Sequence, residues 1–169
     1  MDDPRYGTHG PETIPTLDLP SAHGRVLAGQ VGALKGPFTT VQDVQIVDYV
    51  LSQGASILHT VPKHLDNCLV YVYRGEGEIA SHKIAKHQII RLDATDTDAR
   101  DITLSTDQIE MRLIIFAGKK LNQPIAWRGP FVMTTNDELQ VAMSEYRTGR
   151  FLKKRAAWDY KVQAATPQK

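Results

Sequence analysis

Two histidines and a cysteine close together are the first candidates for chemistry in this sequence. His59, His64 and Cys68 all fall in the ten-residue stretch HTVPKHLDNC. Non-haem iron is commonly held by two histidines and a carboxylate that leave positions open on the ion, so Cys68 would have to replace the carboxylate. Pro62 separates the histidines and indicates a strand edge or a bulge, which leaves their relative directions unfixed. We predict no metal site. His64 and His59 are the residues that would take part if one formed, and otherwise are hydrogen-bonded polar residues at the mouth of a β-structure.

Common catalytic motifs are missing from the rest of the sequence. It has no P-loop, no GxSxG elbow, no GxGxxG run before a helix and no HExxH pair. Cys68 begins the apolar run CLVYVY, which favours an inert buried thiol over a nucleophile. The acidic run DATDTDARD, residues 93–101, matches no calcium-loop spacing and indicates a solvated loop. His82 and His87 flank a turn and are expected to face solvent. We therefore predict no catalytic residue.

The composition is that of an ordinary folded domain. The chain has 169 residues, of which 41% are hydrophobic and 23% charged, and a domain of this length can bury about 68–70% of its unfolded surface. No apolar run approaches the roughly 18 residues that a membrane span needs. The start MDDPRYGTHG resembles neither a secretory signal nor a transit peptide. A single cysteine excludes an internal disulfide. We expect a cytoplasmic or nuclear protein.

Charge is distributed unevenly along the chain. Residues 146–169 carry seven Lys and Arg side chains against one Asp, a net charge of +6. The whole chain carries +1, so residues 1–145 carry −5. A basic tail on an acidic body can attract nucleic acid or another anionic partner. Because the tail holds only one short Lys-Lys-Arg cluster, we favour a solvated end.

Short apolar segments separated by turns predict a β-rich structure between residues 25 and 118. In VQIVDYVL, Gln45 and Tyr49 fall on one face of an alternating strand, and in ASILHTV His59 shares a side with two apolar residues. CLVYVY and IEMRLIIFAG are rich in β-branched residues, and RGEGE indicates a hairpin turn. This series favours an antiparallel sandwich or barrel, and it contains no amphipathic helical pattern.

One helix is predicted near the C-terminus, at about residues 136–148. Thr135 and Glu138 match the capping-box pattern, in which each side chain bonds to the backbone amide of the other. Gly149 suits the left-handed position just past a helix end. An apolar stripe, expected to pack on the β-structure, repeats at helical spacing and consists of Leu139, Ala142, Met143 and Tyr146.

The closing segment resembles that of a known family. AGKKLNQPIAWRGPFVMTTNDELQVAMSEYRTGRF is closely similar to the end of pirins, which reads AGxPLxEPVxxxGPFVMNTxxEIxxAxxDYxxGxF. The positions in register include the signature residues Gly129, Pro130, Phe131, Val132, Met133, Glu138 and Gly149. The start DPRYGTHGPETIP is similar to the segment that joins the two pirin domains.

The resemblance implies a fold and a domain organisation. Pirins are built from two cupin barrels, so we expect an all-β cupin, a jelly-roll-like antiparallel β-barrel, with a C-terminal α-helix. Residues 1–24 would form an extended lead-in similar to the interdomain segment. Residues 25–152 would form the C-terminal cupin domain, and residues 153–169 the basic tail. The resemblance implies that the N-terminal barrel is absent from this chain.

The resemblance also implies where the chemistry of the family resides. Pirins are associated with an iron-dependent dioxygenase action on quercetin and with nuclear transcriptional co-regulation, and their three His and one Glu ligands belong to the N-terminal barrel. The metal motif of cupins, G(x)5HxH(x)3–4E(x)6G, aligned on Gly75 retains only His64, because Pro62 and Cys68 occupy the positions of another His and the Glu. We therefore expect no cofactor in this chain, iron being bound by the absent domain.

Two functions follow as expectations. The first is a non-catalytic binding or regulatory module, similar to a transcriptional co-regulator. The alternative is part of a quercetin 2,3-dioxygenase whose metal half lies outside this chain. The expected partner is a protein, or a second copy, bound through the surface that would pack on the first barrel. Nucleic acid bound by the basic tail is a further alternative, and no membrane contact is expected.

Overall fold

The computed structural model describes residues 5–93, 100–154 and 157–159. Within these ranges there is a 3₁₀ helix, Pro11–Thr13, and an α-helix, α1, Asn136–Arg147. The strands are β1 Arg5–Gly7, β2 Thr16–Leu19, β3 Ala22–Ala28, β4 Gln30–Val31, β5 Leu34–Lys35, β6 Val44–Leu51, β7 Ser56–Val61, β8 Asn67–Arg74, β9 Glu76–Ile79, β10 His82–Ala85, β11 Ile89–Asp93, β12 Arg100–Ser105, β13 Met111–Gly118, β14 Ala126–Arg128, β15 Phe131–Met133 and β16 Ala157–Asp159. The chain divides into two compact units, residues 9–120 and residues 1–8 with 121–169.

The first unit, residues 9–120, is a sandwich of two antiparallel sheets. A six-stranded sheet has the order β11-β8-β13-β6-β3-β2, and a four-stranded sheet has the order β10-β9-β12-β7. Buried side chains from both sheets form one core cluster, with Leu51, Leu113 and Leu104 fully inaccessible. The short pair β4 and β5 forms a separate two-stranded ladder. This arrangement confirms the predicted all-β, jelly-roll-like fold.

Burial alternates along several strands of this unit. In β8, β7 and β13, every second side chain is buried, which matches the two-residue period of a strand with one face on a core. The turn after β8 depends on Gly75, whose φ is +76°. A Cβ at Gly75 would lie 2.1 Å from the carbonyl oxygen of Glu110, so no other residue fits there without a backbone shift.

The second unit contains the predicted helix, packed on the hairpin of β14 and β15. The capping box is present: Glu138 N donates to Thr135 Oγ1 at 3.2 Å, and Thr135 N donates to Glu138 Oε2 at 3.1 Å. At the other end Gly149 has a φ of +69°, and the amides of Gly149 and Arg150 donate to the carbonyls of Tyr146 and Glu145. Both helix ends are therefore satisfied, as the sequence predicts.

Buried contacts on this helix come from part of the predicted stripe. Leu139 and Ala142 are buried, whereas Tyr146 is 63% exposed. The ring of Tyr146 nevertheless contacts Phe131 of β15 and Phe151, with centroids 5.5 and 6.3 Å away. The stripe thus packs on aromatic residues of the family signature.

Two strand pairs differ from the expected pattern. β2 and the start of β3 lie within the stretch expected to be an extended lead-in, and they join the six-stranded sheet by antiparallel pairing. The β14–β15 hairpin closes through the tight turn at Gly129-Pro130, and the sequence pattern predicts neither of its strands. Strands of three or four residues are too short to show a hydrophobic period in the sequence. They form because a neighbouring strand is available to pair with them.

Some expectations fall outside the described residues. Residues 94–99 of the acidic run, and residues 155–156 and 160–169 of the basic tail, are among them. The solvated acidic loop and the role of the tail stay predictions, as does the division into residues 1–24, 25–152 and 153–169. Across the described ranges, no helix is both long and apolar enough to cross a membrane.

Candidate functional site

The side chain of His59 lies between the two sheets and is hydrogen-bonded at both ring nitrogens. His59 on β7 is 1% exposed. Its Nδ1 is 3.0 Å from the hydroxyl of Tyr49 and its Nε2 is 2.9 Å from Oε1 of Gln45, both on β6 of the opposite sheet. The amide of Gln45 continues the chain, because its Nε2 donates to the carbonyl oxygen of Gln30 at 2.8 Å. We call Tyr49, His59, Gln45 and the Gln30 carbonyl the relay.

The direction of every proton in the relay follows from its last member. A peptide carbonyl only accepts, so the nitrogen of the Gln45 amide must face Gln30 and its oxygen must face His59. That oxygen also only accepts, so His59 carries its proton on Nε2. A neutral imidazole then has an acceptor at Nδ1, and the Tyr49 hydroxyl donates to it. The relay therefore runs in one direction, from phenol to imidazole to amide to backbone.

Burial keeps this tautomer neutral. It lowers the pKa of His59 to about 4, because the charged imidazolium loses its hydration in the core. Burial also raises the pKa of Tyr49 to about 12, since the phenolate would be equally poorly solvated. Near pH 7 both groups are uncharged. The relay is a set of neutral hydrogen bonds and not an ion pair.

A glycine on the neighbouring strand positions the tyrosine ring. Gly24 on β3 pairs with Tyr49 on β6 in the antiparallel register. A Cβ at Gly24 would lie 2.7 Å from Cε1 of that ring, closer than real carbon atoms approach. The ring therefore lies flat across a backbone that has no side chain. The missing side chain leaves Tyr49 the room that brings its hydroxyl to His59.

The relay forms part of the wall of a cleft of about 290 Å³ in the first unit. Tyr49, His59 and Gln45 all line it. Most of the other lining residues are apolar or small, namely Leu17, Leu19, Val31, Gly32, Leu58 and Pro62, and the remaining two are Gln30 and Thr60. The residues that line this cleft carry no formal charge once His59 is neutral.

The other candidate ligands are not brought together with His59. His64 is exposed, and its Nε2 is 2.9 Å from Oδ2 of Asp43. Cys68 is buried in β8, where burial raises the pKa of its thiol to about 11 against the opposing effect of Arg100. Within residues 5–93, 100–154 and 157–159, no three His, Cys, Asp or Glu side chains are grouped so that they could hold a metal ion. The absence of a metal in the whole chain stays a prediction.

A buried carboxylate on the opposite face of the six-stranded sheet was missed by the sequence analysis. Asp48 is only 5% exposed although it alternates with inward-facing neighbours. Its oxygens accept from Nε of Arg25 at 3.1 Å and from the hydroxyl of Tyr73 at 2.7 Å, and the Arg25 guanidinium completes an ion pair. Burial raises the pKa of Tyr73 to about 12, with smaller contributions from the hydrogen bond to Asp48 and from the negative charge of that carboxylate. Because its partners cover it, Asp48 is a structural anchor.

The arrangement supports hydrogen bonding more directly than metal chemistry. Binding of an ion by His59 would require breaking the bond to Tyr49 or removing the proton that Gln45 accepts. The strand pattern placed Gln45 and Tyr49 on one face and His59 among inward-facing apolar residues. Nothing in the sequence shows that these faces meet across the sandwich, so the relay itself was not predicted.

Comparison with known proteins agrees with the fold and the closing segment. Residues 46–152 match the family described as the pirin C-terminal cupin domain. The protein named "Putative quercetin 2,3-dioxygenase" from Pseudomonas aeruginosa is 31% identical over 155 residues, which are 90% of this chain and 52% of that protein. Pirin from Rattus norvegicus is 27% identical over 154 residues, 89% of this chain and 52% of that protein.

A solved structure extends the comparison. The crystal structure of quercetin 2,3-dioxygenase from Acinetobacter baumannii superposes with a TM-score of 0.74 at 26% identity, covering 83% of this chain and 48% of the other. The chain thus spans about half the length of the relatives that it matches. Since the family match covers well over half of its residues, the chain belongs to the pirin family and carries the C-terminal cupin domain of that family.

Proposed function

We propose that this chain is a non-catalytic binding or regulatory module of pirin type, similar to a transcriptional co-regulator. The observation that carries the proposal is the relay: both nitrogens of the one buried histidine among the described residues are already hydrogen-bonded. His64, the other candidate ligand, is exposed and bonded to a carboxylate. The cleft beside the relay offers a binding surface instead.

Metal analysis tests the proposal. The purified chain, expressed in iron-supplemented medium, is assayed for iron per protein molecule before and after dialysis. We expect well below one iron per chain, and we expect His64→Ala to change nothing. The matched control is His82→Ala, since His82 is also exposed and bonds to the carbonyl of Ala80. Stoichiometric iron that is lost in His64→Ala but kept in His82→Ala would overturn the proposal.

The second candidate is part of an iron-dependent quercetin 2,3-dioxygenase whose metal half lies outside this chain. Its support is the names of the Pseudomonas relative and the Acinetobacter structure, together with coverage of only about half of each. The test mixes this chain with the separately expressed N-terminal half of the Acinetobacter protein and follows quercetin consumption. Turnover that needs both components favours the dioxygenase, and no turnover in the mixture favours the binding module.

A protein contact fits the outer face of the six-stranded sheet. Phe116 on β13 is 41% exposed and lies in register with Leu69 on β8 and Ile46 on β6, both half-buried. Three apolar side chains abreast on neighbouring strands are a surface that a partner can cover. We name a second copy of this chain as the occupant, since the relatives contain another half of similar length. Light scattering should show dimers that Phe116→Glu dissociates, and a monomer at high concentration would contradict this contact.

Location and nucleic-acid binding complete the proposal. A cytoplasmic or nuclear location is expected for a co-regulator, and imaging of a tagged chain tests it. Binding of DNA through the basic tail would weaken steeply with salt, because each phosphate contact releases a counterion. Removal of residues 153–169 should abolish such binding. Affinity unchanged by that removal would exclude the tail.

A further inference from the structure

The cleft beside the relay combines an apolar wall with a tyrosine oxygen that can still accept a hydrogen bond. The Tyr49 hydroxyl gives its one proton to His59, so the lone pairs of its oxygen can still accept. The Gln45 amide is 1% exposed and already bonds to His59 and to the carbonyl of Gln30, so it stays within the relay. Both side chains line the cleft. The Tyr49 oxygen is thus an acceptor that lies beside apolar residues.

The charge of the lining selects against ions. Transfer of a charged group into a site without an opposite charge is costly, because the group loses its hydration and gains no partner. The described lining residues offer no such partner, since Tyr49 and His59 are both neutral near pH 7. A neutral ligand meets no such cost.

The size of the cleft limits the ligand further. Its volume is about 290 Å³, and small-molecule sites commonly measure roughly 300–1,000 Å³. The cleft therefore fits a single ring or a short chain better than a polycyclic molecule. Leu17, Val31 and Pro62 supply the apolar wall that such a body needs.

We infer that this cleft is a binding site for a small uncharged molecule with an apolar body and one amide or hydroxyl group. The inference rests on the proposed binding role and names the ligand class of that role. The polar group of the ligand donates to the oxygen of Tyr49. Its apolar body lies against the aliphatic residues of the cleft.

Benzamide and benzoate test the inference, because they share a shape but differ in charge. Each is titrated into chelator-treated protein while the ring signals of His59 are followed by NMR. We expect saturable shifts with benzamide and an affinity for benzoate at least about tenfold weaker. Equal binding of the two probes, or no saturable shift with benzamide up to its solubility limit, would overturn the inference.

Two variants locate the site. Tyr49→Phe removes the accepting oxygen and should weaken benzamide about 3- to 10-fold, whereas Tyr73→Phe, on the outer face of the same sheet, should not. Val31→Trp fills the cleft without touching the relay and should abolish the shifts. In Val31→Trp the unliganded His59 signals report whether the relay is intact, so loss of binding with an intact relay supports the site. Retained binding in Val31→Trp contradicts it.

Iron retention and benzamide binding are read separately. Iron that stays after dialysis counts against the non-catalytic role. The inference about the ligand class is then judged by the benzamide titration only. Absence of benzamide binding in iron-free protein counts against the ligand class only.

Discussion

Neutral burial of His59 makes the stability of this protein depend on pH in a defined window. Its pKa is about 4 in the folded chain and about 6.5 in an unfolded chain. Between these values the unfolded state binds a proton that the folded state refuses, so acid favours unfolding. The contribution is fully present above about pH 7.5. It is lost as the pH falls through 6.5 towards 4.

The magnitude follows from the two pKa values. A difference of about 2.5 units at about 1.36 kcal/mol per unit gives a total on the order of 3 kcal/mol. Between about pH 7.5 and pH 5.5 the loss amounts to about 1.3 kcal/mol, because the unfolded imidazole is then some ten-elevenths protonated. This range avoids most of the titration of carboxylates, whose ordinary pKa values lie near 4.

Urea denaturation at several pH values measures this loss. The free energy of unfolding is compared for the native sequence and His59→Gln, which keeps a donor and an acceptor but does not titrate. We expect the native chain to lose about 1.3 kcal/mol more than the variant between these two pH values. His82→Gln is the control, since His82 is exposed and outside the relay, and it should retain the native slope.

One result would refute the reasoning. If the native chain and His59→Gln show parallel curves of stability against pH, then burial does not suppress the protonation of His59. The neutral tautomer with its proton on Nε2 would then be wrong as well. Long-range proton–nitrogen NMR spectra read that tautomer directly and provide an independent check.

Three further predictions concern other parts of the chain. Gly24→Ala forces a Cβ against the tyrosine ring of the relay and should lower the free energy of unfolding by about 1–3 kcal/mol in the same urea assay. Its control is Gly7→Ala, which should cost under about 0.5 kcal/mol because nothing lies within 4 Å of the added carbon. Thr135→Ala removes the cap of helix α1 and should lower the free energy of unfolding by about 1 kcal/mol, measured by thermal denaturation. Ser144 is exposed on the same helix, so Ser144→Ala should change that free energy by no more than about 0.5 kcal/mol. Equal losses in the two variants would exclude a capping role for Thr135. Burial raises the pKa of the Cys68 thiol to about 11, so only about one thiol in a thousand is ionised at pH 8. A disulfide reagent should therefore label Cys68 only after denaturation. Rapid labelling of the folded protein would contradict the burial of Cys68.

The parts of the fold that sequence could predict are those fixed by local chemistry. The capping box at Thr135 and the left-handed Gly149 involve residues only a few positions apart, so their pattern predicts helix α1 almost to the residue. Alternation in β6 and β7, and the β-branched and aromatic content of β8, likewise predict strands, because one face of each meets the core.

The relay and the buried Asp48 could not be predicted for the opposite reason. Each joins side chains from different strands, and the register that brings them together depends on the whole sandwich. An isolated glycine in a strand indicates a close approach by another group, but the sequence pattern places Gly24 at the end of the lead-in, and only the structure places it within β3. Its partner, the ring of Tyr49, becomes identifiable only when β3 is paired with β6.

The final carbonyl of the relay limits what the histidine beside the cleft can do. A proton wire works only if its far end can release one proton as the near end takes up another. Gln30 ends the series with a peptide oxygen that has nothing to release, so a proton entering at the phenol has no exit. A ligand in the cleft therefore contacts hydrogen-bonding groups whose donor and acceptor directions are fixed. Its recognition depends on how well its own donors and acceptors match those groups and not on proton exchange with them.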